Sequence, residues 1–149
     1  MLQLIELEPG LYVSPQITAA DLAVIAAHGI KSLVNNRPDG EAEDQLPHQT
    51  AAAMAADLGL RYLYQPVPGI NVADDDVVDA FQDAAQGLPR PILFYCRSGT
   101  RCTILWAEAN AARLGTDQVI ATAANKGYDL SQAREFINDH AQRLAGHTR

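Results

Sequence analysis

Apolar residues are grouped in short blocks separated by polar, glycine-bearing segments, and the spacing within the blocks alternates along the chain. "PILFY" at 91–95 is a nearly continuous apolar run, as a strand buried on both faces requires. "LYVS" at 11–14, "KSLVNN" at 31–36 and "LRYLYQPV" at 60–67 also predict strands. The blocks between them have helical spacing. In "TAADLAVIAAHG" at 18–29, Thr18 caps the start, Asp21 completes a capping box and Gly29 ends the helix. "AAAMAADLGL" at 51–60 has Pro47 near its start and Gly59 as its stop. "DDDVVDAFQDAAQG" at 74–87 opens on three aspartates that complement the positive end of a helix dipole. "CTILWAEANAARLG" at 102–115 predicts a helix ending at Gly115, and the last 34 residues read as wholly helical. "NRPDGEAEDQL" at 36–46 and "PGINVA" at 68–73 are loops.

Strands alternating with helices predict an α/β fold, a mostly parallel central sheet flanked by helices, within a single domain over 1–149. In such sheets a ligand lies beyond the carboxyl ends of the strands, which is where "YCRSGTR" at 95–101 falls.

Composition narrows the partners. With 18 acidic residues against 11 Lys and Arg, a formal charge of −7 excludes a general nucleic-acid or anionic-membrane footprint, though not a local basic pocket. The N-terminus "MLQLIELEPG" has no basic stretch and carries Glu6 and Glu8 where a signal peptide is apolar, and no segment reaches membrane-spanning length. A cytoplasmic location is the expectation. His28, His48, His140 and His147 have no metal-ligand spacing, so neither metal nor cofactor is expected. Two cysteines do not make a disulfide scaffold, and only Cys96 sits in a suggestive setting.

A strand feeding a tight loop that opens a helix gathers backbone N–H groups into one concavity, where the helix dipole adds positive charge. Here the loop is Cys96, Arg97, Ser98, Gly99 and Thr100, followed by Arg101 and Cys102. Gly99 supplies conformational freedom. Arg101 offers a planar fork for bidentate capture of an oxyanion, and Arg97 is a second cation. Such surroundings lower a cysteine pKa below its reference near 8.5 and make Cys96 a candidate nucleophile.

With "GIKSLVNNRPDGE", "ADLGLRYLYQPV", "ILFYCRSGTRCTILWA" and "KGYDL", the chain resembles, over nearly its full length, the bacterial beta-lactamase hydrolase-like proteins. The phosphatase-like domain of that family occurs alone or fused to a persulfide dioxygenase domain, so the resemblance implies such a dioxygenase as a partner. It also implies the dual-specificity/tyrosine phosphatase fold. The loop departs from that pattern: phosphatases resemble Cys-x5-Arg, whereas Cys96 to Arg101 is Cys-x4-Arg, as in rhodanese-type sulfurtransferases. The general acid that tyrosine phosphatases carry on a loop ahead of the cysteine has no counterpart in "QPVPGIN" at 65–71. Asp74, Asp75 and Asp76 lie just beyond, and Asp39 or Glu41 could reach in from the 36–46 loop, but helix-start and turn roles weigh more for the aspartates. Arg37 is placed to touch substrate or to pin its loop. Cys102 stands where both families usually have Ser or Thr; it is read chiefly as a small buried residue, alternatively as a resolving thiol, and Thr103 is the candidate for the missing hydroxyl.

Three functions follow. Sulfur transfer through a Cys96 persulfide, from a small anionic sulfur donor such as thiosulfate or a glutathione persulfide, is favoured because its leaving groups need no proton. Hydrolysis of a phosphate ester through a phosphocysteine is the alternative. A non-enzymatic oxyanion-binding or oxidant-sensing role is the third.

Overall fold

A computed structural model describes residues 2–146; His147 and the end of the tail lie outside the described residues. Strands β1 (Ile5–Glu8), β2 (Leu11–Ser14), β3 (Ser32–Asn35), β4 (Arg61–Tyr64) and β5 (Ile92–Tyr95) form one sheet in the order β1-β2-β5-β3-β4. The β2–β5, β5–β3 and β3–β4 pairs are parallel and the β1–β2 pair antiparallel, so the mostly parallel α/β sheet expected from the sequence is observed. Its helices are α1 (Ala19–Ala27), α2 (His48–Asp57), α3 (Asp75–Gly87), α4 (Thr100–Leu114), α5 (Thr116–Asn125) and α6 (Arg134–Ala145).

β5 occupies the centre because both of its faces are apolar: Ile92, Leu93, Phe94 and Tyr95 are each fully buried. Alternation along the strand sends Ile92 and Phe94 into the layer built by α3 to α6, and Leu93 and Tyr95 into the layer built by α1 and α2. In the first layer Phe94 stacks on Phe81 of α3, ring centroids 4.2 Å apart. Burying side chains of this size stabilises the fold by about 1.5–3 kcal/mol each. The α1 capping box forms: Asp21 N–H donates to Thr18 Oγ1 at 3.3 Å and Thr18 N–H to Asp21 Oδ2 at 2.9 Å.

Two elements differ from the sequence expectation. β1 is a strand although Glu6 and Glu8 break its apolar run; on this edge strand Leu7 is buried and Glu6 exposed, while Glu8, past a register shift, turns in to accept from the Trp106 indole at 2.8 Å. The tail is not wholly helical: α5 ends at Asn125, and Gly127 (φ +98°) turns the chain toward a single 3-10 turn, Ser131–Ala133, before α6. The break returns Tyr128 to the carboxyl end of the sheet, where its hydroxyl donates to Ser98 O at 3.1 Å. No helix among the described residues is long and apolar enough to cross a membrane.

Candidate active site

The carboxyl ends of β2, β3 and β5 meet at the cysteine loop. Cys96 N–H donates to Ser14 O at 3.4 Å and Gln16 N–H to Arg97 O at 3.1 Å, so the loop leaves β5 still tied to β2. Gly99 is the sharp corner before α4, with φ +90°. A Cβ there would lie 2.1 Å from Tyr128 Oη and 3.3 Å from the Ser14 carbonyl carbon, so backbone conformation and space both demand glycine.

Cys96 is only 1% exposed but lines a cavity of about 260 Å³ with Arg97 and Ser98 of the loop, Thr100, Arg101 and Ile104 of α4, and Gly69 and Val72 of the 68–73 loop. Gly99 N–H donates to Cys96 Sγ at 3.2 Å. The Cys96 pKa is lowered to about 6: hydrogen bonding from the Cys102 thiol is the largest cause, burial opposes it, and the backbone N–H groups of residues 102 and 99 and the Arg101 charge add to it. Cys96 is therefore largely thiolate at neutral pH. Ser98 and Thr100, both lining the cavity, hold each other, Oγ to Oγ1 at 3.0 Å.

Cys102 is the residue whose role the structure changes most. It is fully buried, as expected of a small apolar residue, but its S–H has two acceptors in reach, Asn36 Oδ1 at 3.3 Å and the Cys96 sulfur. A thiolate is the stronger acceptor, so ionisation of Cys96 draws that hydrogen toward itself. Burial, followed by the adjoining Cys96, pushes the Cys102 pKa well up and keeps it a donor. Thr103 does not supply the hydroxyl: its Oγ1 donates to Gly99 O at 2.8 Å.

Arg101 Nη1 donates to Glu41 Oε2 at 3.1 Å and to Val67 O at 2.9 Å, and its Nη2 to Glu41 Oε1 at 3.2 Å. Glu41 also accepts from Arg37 Nε at 2.9 Å. Against a burial penalty, the two guanidinium groups hold Glu41 below the ordinary carboxylate range, so it is an ionised counter-charge and not a proton donor.

The structure separates the remaining candidates from the cavity. Arg37, 4% exposed, gives its Nη1 to Gln16 Oε1 at 3.1 Å and pins the 36–46 loop instead of lining the cavity. Asp39 accepts His48 N–H at 2.9 Å and pairs with the His48 ring; burial works against its ionisation, yet the His48 hydrogen bonds outweigh it and keep it low. It is a turn and helix-start residue, not an acid at the site. Asp74 sits at the α3 start, accepting Asn71 Nδ2 at 2.9 Å, with Asp75 and Asp76 in the first turn. None of the three lines the cavity. Tyr128 is the site residue that sequence reasoning misses: "KGYDL" carries the resemblance, but nothing local shows that its hydroxyl closes over a loop some thirty positions earlier.

The parallel-centred sheet with its cysteine loop between the middle strand and a helix is the fold of tyrosine/dual-specificity phosphatase-like proteins, as its solved neighbours show. The chain aligns with the PP-IP phosphatase SIW14 of S. cerevisiae at TM-score 0.64 and 15% identity, covering 97% of this chain and 91% of that one. Residues 3–113 match the family "Beta-lactamase hydrolase-like protein, phosphatase-like domain", and the chain belongs to it. A beta-lactamase hydrolase-like protein of Xylella fastidiosa is 31% identical over 142 residues, 94% of this chain but 33% of its own length, so this chain spans about a third of that relative. The solved structure of a "putative phosphatase" from Neisseria meningitidis superposes at TM-score 0.84 with 34% identity, covering 91% of this chain and 96% of that one.

Proposed function

We propose that the domain is a thiolate-nucleophile enzyme that transfers sulfane sulfur from a small anionic donor through Cys96. The observation that carries this reading is the lack of a carboxyl group among the residues lining the cavity, together with the locking of Glu41 as an anion between two arginines. An alkoxide leaving group needs a proton in the transition state; sulfite and thiolates do not.

The Cys96 thiolate attacks the outer sulfur of thiosulfate, forming a new S–S bond as the old one breaks and sulfite departs with the bonding pair. The loop amides hold the donor's oxyanion, and the positive charge of Arg101, whose two terminal nitrogens are held by Glu41 and Val67 O, offsets the charge that grows on the leaving sulfite. The resulting Cys96 persulfide is stabilised by the same N–H groups that stabilised the thiolate. An acceptor such as cyanide, sulfite or a thiolate then attacks the terminal sulfur and regenerates Cys96 without net oxidation of the protein.

Phosphate-ester hydrolysis is the second reading, and the relatives favour it over sulfur transfer: the matched family is a phosphatase-like domain, and the Neisseria protein is described as a putative phosphatase. By this route Cys96 attacks phosphorus as the ester P–O bond breaks and the alkoxide or aryloxide leaves with the bonding pair, and water then cleaves the S–P bond to release phosphate and regenerate Cys96. One experiment separates the two. The reduced protein is incubated with thiosulfate and its intact mass and peptide map are recorded, with an aryl phosphate assayed in parallel. Gain of one sulfur atom on Cys96, discharged by cyanide and lost in Cys96→Ser, is the expected result. No gain, with Cys96-dependent release of phosphate, overturns sulfur transfer in favour of hydrolysis.

A further inference from the structure

The cavity beside Cys96 has two unlike kinds of lining. Arg97, Arg101 and the loop residues between them supply its charge and donors; Gly69 and Val72 of the 68–73 loop and Ile104 of α4 contribute no charge. At about 30 Å³ per water-sized group, the 260 Å³ available leaves room for eight or nine such groups. An inorganic anion the size of thiosulfate or sulfate, seated on the amides, fills only part of that room, and the remainder is bounded by hydrocarbon.

The 3-10 turn Gly69–Asn71 supplies a second observation. Ile70 stands between Gly69 and Val72, both lining residues, and is 94% exposed, the most exposed large apolar side chain described. Val72 and Ile104 are partly buried and pack against the core below, which fixes the wall in place. The stretch thus sets an apolar rim in the segment where an acid-bearing loop would otherwise stand.

We propose that this wall is a subsite for the organic body of the substrate, so that the domain selects anions carrying a small aryl or alkyl group over inorganic ones. Val72 and Ile104, the two apolar side chains that line the cavity, are the specificity-determining residues. The inference rests on the sulfur-transfer reading only for the identity of the anionic head: with it, the substrate class is an organic thiosulfonate or persulfide.

Binding can be tested without turnover. Wild-type protein is alkylated at Cys96 with iodoacetamide in the presence of increasing benzenesulfonate or, separately, sodium sulfate, and the concentration giving half-protection is measured for each. Benzenesulfonate should protect at a concentration at least about tenfold lower than sulfate, the scale on which an apolar pocket discriminates a hydrocarbon group. Val72→Thr keeps its volume and Ile104→Val removes a single methylene; each should cut that preference by about fourfold, the equivalent of one buried methylene. Equal protection by the two anions, or a preference that survives in the double variant, overturns the subsite. If thiosulfate and benzenethiosulfonate both fail to load Cys96 while the benzenesulfonate preference holds and falls in the variants, the sulfur-transfer reading fails and the subsite stands.

Discussion

Glu108 lies on α4 with no exposed surface, and neither carboxyl oxygen has a hydrogen-bond partner. His140 Nε2 of α6 is 3.8 Å away, but that nitrogen donates to Ala73 O at 2.7 Å, while Nδ1 accepts from Arg143. Asp75 of α3 faces the same imidazole at 3.9 Å. Burial raises the Glu108 pKa from 4.5 to about 8, only partly opposed by the Arg143 charge. The folded protein therefore keeps a proton that the unfolded chain releases above about pH 4.5, and stability falls as pH rises from there to about 8, flattening beyond. At roughly 1.4 kcal/mol per pH unit, the interval from 4.5 to about 8 sets a ceiling near 5 kcal/mol, and local relaxation around the ion reduces the realised cost to about 2–3 kcal/mol. Glu108→Gln keeps the shape and removes the ionisation. Urea unfolding should show the variant within about 1 kcal/mol of wild type at pH 5 and more stable by about 2–3 kcal/mol at pH 8, a rise in Tm of roughly 5–10 °C. A variant no more stable than wild type at pH 8, or a difference independent of pH, refutes the reasoning.

The other predictions concern the loop. The rate of Cys96 alkylation in wild type should rise with pH about a midpoint near 6, and in Cys102→Ala, which removes the largest thiolate-stabilising donor, the midpoint should move up by about one unit or more; an unchanged midpoint refutes that role. Arg101→Lys keeps the charge but loses the fork that meets Glu41 and Val67, so kcat/KM on whichever donor the enzyme turns over should fall by about 10²-fold or more, against a near-normal value if only charge matters. Gly99→Ala forces a side chain into φ +90° and against Tyr128 Oη, and should destabilise by about 2 kcal/mol or more by urea unfolding; pairing it with Tyr128→Phe should recover little, since the ring carbon that bears the hydroxyl still lies 2.9 Å from the new Cβ.

Local pattern alone determined a good deal of this protein. The four parallel strands, the helices between them and the place of the cysteine loop at the end of β5 are legible in runs such as "PILFY" and in caps such as Thr18 and Gly29, because apolar periodicity and terminal residues are properties of neighbouring positions. β1 is obscured because an edge strand is half polar, and the break at Gly127 because one turn between helices scarcely changes an average over the tail. Tertiary structure decided the partnerships at the site. Glu41 lies sixty positions before Arg101 and Asn36 sixty-six before Cys102, while Tyr128 closes on Ser98 from thirty positions later. It also turned Glu41 from a candidate acid into a fixed anion and Cys102 from filler into a thiolate-stabilising donor. Charge state and hydrogen-bond role depend on which groups approach within a few ångströms and how far water is excluded, and only the folded chain sets either.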